Sequence, residues 1–233
     1  MNKFICNNCG ECCKNFRSDD HITFTGPYFN SEKTFLLHEK FLTIYDWEEK
    51  ELANKLSGRK ILPATVMFDL KNEQTIVLHY SFDEGECPFH IDSRCQIYSE
   101  RPMICRQFPC LHNLTPMIKG ETNKVVPRDT FCPVDVPLNE NTLYFIEERY
   151  GEAYYYDLAT SILALRKAEF IYKLEKEGKI KLARKGYDPI ALLKRIENSK
   201  FINFSDYYHS VTGQDIGSID ISAVNSSLHR RSK

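Results

Sequence analysis

Four cysteines stand within the first thirteen residues as Cys6-x2-Cys9-x2-Cys12-Cys13, and this spacing constrains the chain more than any other feature. Two-residue spacings let consecutive thiolates fold back around one centre, with backbone amides turned toward the sulfurs, as in zinc and iron-sulfur loops. Gly10 supplies the backbone freedom such a turn requires. Adjacent Cys12 and Cys13 leave the backbone in different directions, so placing both on one tetrahedral ion is strained. One of the pair is left to serve a second metal, to bridge, or to remain a reactive thiol.

A second group follows: Cys87-Pro88-Phe89, Cys95-Gln-Ile-Tyr98, Arg101-Pro102, Cys105-Arg106 and Phe108-Pro109-Cys110, with Cys132-Pro133 as an outlier. Nine thiols exceed the four that a single all-thiolate site needs, so either two sites exist or several cysteines have other roles. Four thiolates on a divalent ion leave an excess of about two negative charges. Arg94, Arg101 and Arg106 lie among these cysteines and could offset it; the bland reading makes them ordinary surface charges. The thiolate-only donor set suits zinc or iron. The C-x2-C-x2-C run and the Cys-Pro pairs tip the balance to iron and sulfide, although the further C-x3-C-P of bacterial ferredoxins is missing.

The 31 Lys and Arg nearly cancel the 32 Asp and Glu, so no large field draws this chain onto nucleic acid or an anionic membrane. Met1 to Ile5 leave no room for a secretory signal before Cys6, and no apolar stretch of about 18 residues is free of charge. The expectation is a cytoplasmic protein with no nucleic-acid or membrane partner. In that reducing compartment a cysteine-rich pattern reads as metal-binding or catalytic before it reads as disulfides.

The fold class expected is α+β: an irregular N-terminal domain over residues 1–135 ordered by metal ligation, a helical region over 136–212, and a flexible tail over 213–233. Asp46 followed by Glu49 has the spacing of a capping box opening a helix from Trp47 to Ser57, with Gly58 as its stop. Ala64–Leu70 and Gln74–Tyr80 are rich in β-branched and aromatic residues around a short polar Lys71-Asn72-Glu73, which predicts a β-hairpin. From Cys87 to Pro137 recurrent prolines disfavour long regular elements. Asn139–Tyr150 and Tyr154–Lys176 have helical composition, with Leu158, Ile162 and Leu165 on one face and Phe170 and Leu174 a turn apart. Asp188-Pro189 opens a shorter helix reaching about Glu197.

At the cysteine motifs the sequence resembles the CxxCxxCC, or YkgJ-like, family. The resemblance rests on Cys6-Asn-Asn-Cys9-Gly-Glu-Cys12-Cys13, Gly85-Glu-Cys87-Pro-Phe89, Cys95-Gln-Ile-Tyr98-Ser-Glu-Arg101-Pro102-Met-Ile-Cys105-Arg106 and Phe108-Pro109-Cys110. It covers about residues 4 to 135 and implies a chelating domain for a [4Fe-4S] cluster or, alternatively, Zn2+. The ligands it implies are Cys6, Cys9, Cys12, Cys13, Cys87, Cys95, Cys105 and Cys110. Flagellin lysine N-methylases share the motif, so the resemblance also implies, as an alternative, methyl transfer from S-adenosylmethionine onto lysine.

His90 and His112 could replace a thiolate at one centre, as imidazole does in Rieske sites; the bland reading is a solvated loop histidine for each. Tyr154-Tyr155-Tyr156 read as packing residues, because consecutive helical positions face different ways. Neither G-x-G-x-x-G nor G-x4-G-K-[ST] occurs, so no nucleotide cleft is signalled. Three functions follow: iron-sulfur electron transfer or redox sensing with a redox partner, a cluster-dependent modifying enzyme, or a zinc scaffold docking a protein partner.

Overall fold

The computed structural model describes residues 10, 13, 23–25, 36–38, 42–83, 86–107, 124–125, 136–137, 142–183 and 187–216. The chain divides into two compact units, one of residues 1–13, 89–163 and 219–233, the other of residues 14–88 and 164–218. Helices and a small mixed sheet make the protein α+β. Among the described residues, no helix is long and apolar enough to cross a membrane.

The second unit is built on a five-stranded sheet in the order β1-β2-β3-β4-β9. Its strands are β1 (Thr23–Thr25), β2 (Leu36–His38), β3 (Ile61–Asp69), β4 (Gln74–Phe82) and β9 (Lys200–Asn203), and all neighbours are antiparallel except β4 and β9. The hairpin expected from β-branched residues is β3–β4, and the register slips beside Pro63, which has no N–H to give the ladder. Val66 stands opposite Val77 and Met67 opposite Ile76. Successive side chains alternate between the two faces of the sheet. On one face Val66, Phe68 and Val77 pack with Ala183, Leu192 and Ile196. On the other, Met67 and Ile76 have no exposed surface at all. A sheet buried on both faces explains why this hairpin reads as a nearly continuous apolar run. At its turn the fully buried Asp69 accepts from Lys71 N (2.9 Å) and Lys181 N (3.0 Å), satisfying its carboxylate and pinning the chain beyond the long helix to the sheet.

The helix expected at Trp47 is α1 (Asp46–Ala53), and it begins differently. Tyr45 occupies the cap position and Glu48, not Glu49, reaches back to Tyr45 N at 3.0 Å. The carboxylate of Asp46 is engaged elsewhere, accepting from Ser205 N at 2.8 Å. The helix stops at Ala53, ahead of Gly58, with Asn54 as its C-cap.

The two helices expected after Pro137 adjoin one another in α3 (Thr142–Lys176), where the backbone kinks at Tyr150 (φ −118°, ψ 17°), the residue at which the first of them was expected to end. Its part from Ala164 onward belongs to the second unit. The buried stripe runs through Ala159, Leu163, Lys167, Phe170, Ile171 and Leu174, whereas Leu165 is 42 % exposed. Lys167 hides this stripe from a hydrophobicity pattern. Its ammonium donates to Leu78 O at 2.7 Å and lies 4.9 Å from the Tyr45 ring centre and 5.0 Å from that of Phe204. Burial lowers its pKa to about 7, against the weaker opposing pull of Asp46.

Helix α4 (Pro189–Glu197) starts as expected, with Asp188 accepting from Ile190 N at 3.0 Å. Strand β9 was not expected in a region read as helical. It leads into α5 (Phe204–Thr212), whose Phe204 and Tyr208 rings meet Phe170 at 5.9 Å and 4.7 Å.

Among its described residues, the first unit holds a two-stranded ribbon of β5 (His90–Ile91) and β6 (Arg94–Cys95), a short helix α2 (Met103–Arg106), the pair β7 (Lys124–Val125) and β8 (Val136–Pro137), and the part of α3 up to Leu163. The expected tail lies outside the described residues from position 217 onward.

Candidate metal centre

Of the eight cysteines implied as ligands, Cys13, Cys87, Cys95 and Cys105 are described and all are half-buried. Cys6, Cys9, Cys12 and Cys110, together with Cys132 and His112, lie outside the described residues. Among the described residues, no three His, Cys, Asp or Glu side chains converge in a way that would hold an ion.

Gly10 is buried, with φ at +75°, and Cys13 N closes the turn by donating to its carbonyl at 2.8 Å. The left-handed backbone explains part of the requirement for glycine; a neighbour explains the rest. A β-carbon at residue 10 would lie 2.3 Å from His90 Cε1 and 2.4 Å from its Nε2, so only a bare backbone fits against the imidazole. Hence Gly10 meets the ribbon that carries Cys95 within one unit.

The ribbon reverses through Asp92 and Ser93 at φ values of 50° and 57°, the pair of positive angles that a two-residue hairpin turn demands. His90 stands directly opposite Cys95, and Gln96 N extends the ladder to Phe89 O at 2.9 Å. Opposed residues share one face of a ribbon. The Nε2 atom of His90 is buried and has no hydrogen-bond partner. A solvated loop histidine would not leave its nitrogen in that condition.

Cys105 is carried by α2 and its amide donates to Pro102 O at 2.9 Å. The arginines around it do something that sequence reasoning missed. Arg106 donates from Nε to Arg101 O (2.8 Å), from Nη2 to Ser99 O (2.9 Å) and from Nη1 to Tyr156 Oη (2.7 Å). Arg101 folds its guanidinium 3.8 Å above the Tyr98 ring and donates to Tyr98 O at 2.9 Å. Both act as clips that shape the segment between Cys95 and Cys105, while Arg94 is exposed. Gln107, almost fully buried, extends the clip by accepting from Thr160 Oγ1 at 2.8 Å. Arginine forks donating to backbone carbonyls therefore hold this loop, where a larger domain would use apolar packing.

A family model, CxxCxxCC, described as "Putative zinc- or iron-chelating domain", matches residues 5–133, more than half of the chain. Neither a curated protein nor a solved structure matches it. The residues present fit such a metal in donor type: half-buried thiols and a buried imidazole nitrogen without a hydrogen-bond partner are soft and borderline donors rather than the oxygens that calcium or magnesium would need.

Proposed function

Since the chain belongs to the CxxCxxCC family of chelating domains, we propose that it binds an iron-sulfur cluster, of the [4Fe-4S] type, and works in electron transfer or redox sensing. The ligands are drawn from Cys6, Cys9, Cys12, Cys13, Cys87, Cys95, Cys105 and Cys110. When bound, such a cluster accepts or releases one electron at a potential set by its ligands and their surroundings.

The observation that supports this reading is the seating of Gly10, which lies between Cys9 and Cys12 in sequence, against His90, which pairs with Cys95 in the ribbon. Around it the chain's own residues have defined tasks. Gly10 and the Cys13 amide fix the turn, Asp92 and Ser93 reverse the ribbon, and Arg106 locks the approach to Cys105. Loops so poor in regular structure gain order from their ligands, so metal uptake and folding of this unit are coupled.

Iron, acid-labile sulfide and zinc measured on protein isolated without oxygen test the proposal. Iron and sulfide in similar amounts, with visible absorption that bleaches reversibly on reduction, is the result expected. A colourless protein holding only zinc overturns the iron-sulfur reading, and a folded protein without metal overturns ligation altogether.

A further inference from the structure

Resting on the metal-binding reading above, we infer that His90 is itself a ligand, giving the centre a mixed cysteine and histidine donor set through Nε2. Three observations lead there. The nitrogen is buried and has no hydrogen-bond partner, a costly condition unless something outside the protein's own hydrogen bonds satisfies it. It faces the one position of the cysteine run with no side chain, 2.4 Å from where a β-carbon at residue 10 would stand. It also stands opposite Cys95 on the same face of a two-residue ribbon.

Directly opposed residues hold their β-carbons about 4.5–5.5 Å apart, a span that one ion with bonds of about 2.0 Å to nitrogen and 2.3 Å to sulfur can bridge. The ribbon therefore offers a nitrogen and a sulfur donor from a single element, beside Gly10 of the turn that Cys13 N closes. With Nε2 committed, the ring's proton resides on Nδ1. A neutral imidazole in place of a thiolate removes one negative charge from the centre, which on iron-sulfur raises the potential.

Cobalt(II) titration of the full-length protein, prepared metal-free under anaerobic conditions, tests this against His90→Leu and His90→Cys. His90→Leu keeps the bulk beside Gly10 while removing the nitrogen. It should bind Co2+ more weakly by over about a hundredfold, beyond the ten- to hundredfold typical of losing a group that merely hydrogen-bonds a ligand. His90→Cys should bind well and gain near-ultraviolet thiolate-to-cobalt absorption. A folded His90→Leu with wild-type affinity, or a smaller loss with the cobalt spectrum unchanged, overturns the assignment while leaving metal binding in place. Wild-type protein that takes up no Co2+ overturns both readings.

Discussion

The guanidinium of Arg106 donates to the phenol of Tyr156 at 2.7 Å, joining the short cysteine-bearing helix α2 to the first half of α3 within one unit. Hydrogen bonds from a charged donor are worth about 1.5–3 kcal/mol. Arg106→Ala loses this bond and two more to carbonyls, so it should destabilise the α2 segment by about 3 kcal/mol. Tyr156→Phe, which leaves the carbonyl contacts intact, should cost about 1 kcal/mol. Hydrogen exchange at the Cys105 and Arg106 amides, both bonded to Pro102 O, reads the two effects locally.

Gly10→Ala should cost more than Gly58→Ala although the two glycines share a backbone conformation, φ +75° against +74°. A methyl group at residue 58 meets nothing within 4 Å, whereas at residue 10 it overlaps the imidazole of His90. Gly58→Ala thus reports the backbone strain alone, about 1–2 kcal/mol. Gly10→Ala should add a loss of bound metal, and pairing it with His90→Ala should recover part of the folding cost but not the metal. Metal content and thermal unfolding of the three variants check this.

Lys167 gives stability a pH dependence of definite sign. Its folded pKa lies near 7 against 10.5 for the free side chain, so between those values the unfolded chain holds a proton that the folded chain has released. Stability therefore rises with pH across that window, and below about pH 7 the full penalty of the buried charge applies, constant with pH. Lys167→Met should flatten this rise and stabilise the neutral protein by an amount on the order of a few kcal/mol, less the hydrogen bond lost at Leu78 O. Urea midpoints taken across the window decide it.

Ser93→Gly should stabilise the ribbon of His90 and Cys95 by about 1 kcal/mol, because a side chain at φ 57° is strained where glycine is not. Thermal unfolding of the metal-free protein shows the gain free of ligand effects.

What could be read from sequence was whatever depends on neighbours along the chain. The β3–β4 hairpin follows from its β-branched residues, and α4 from an N-cap followed by proline. Asp46 misled because its carboxylate is used by Ser205, a partner far away in sequence, leaving Tyr45 and Glu48 to cap the helix. Leu165 was expected on the buried face, but the buried stripe runs through Lys167, whose ammonium an aromatic pair and a strand carbonyl receive. At the site, the cysteine spacing announced a chelating loop. The burial of the His90 Nε2 atom and the clipping by Arg106 arise from contacts with Gly10 and Tyr156 that no local pattern encodes.

The parallel pairing of β4 with β9 sets a condition on synthesis. On the edge of β4 that faces away from β3, the backbone groups of residues 74–77 wait for residues 200–203 before they are matched. Until the ribosome has released that late strand, a nascent chain presents an open row of donors and acceptors along β4, the template on which chains add to one another. Protein cut short before Lys200 should therefore be lost to aggregates, whatever its metal supply.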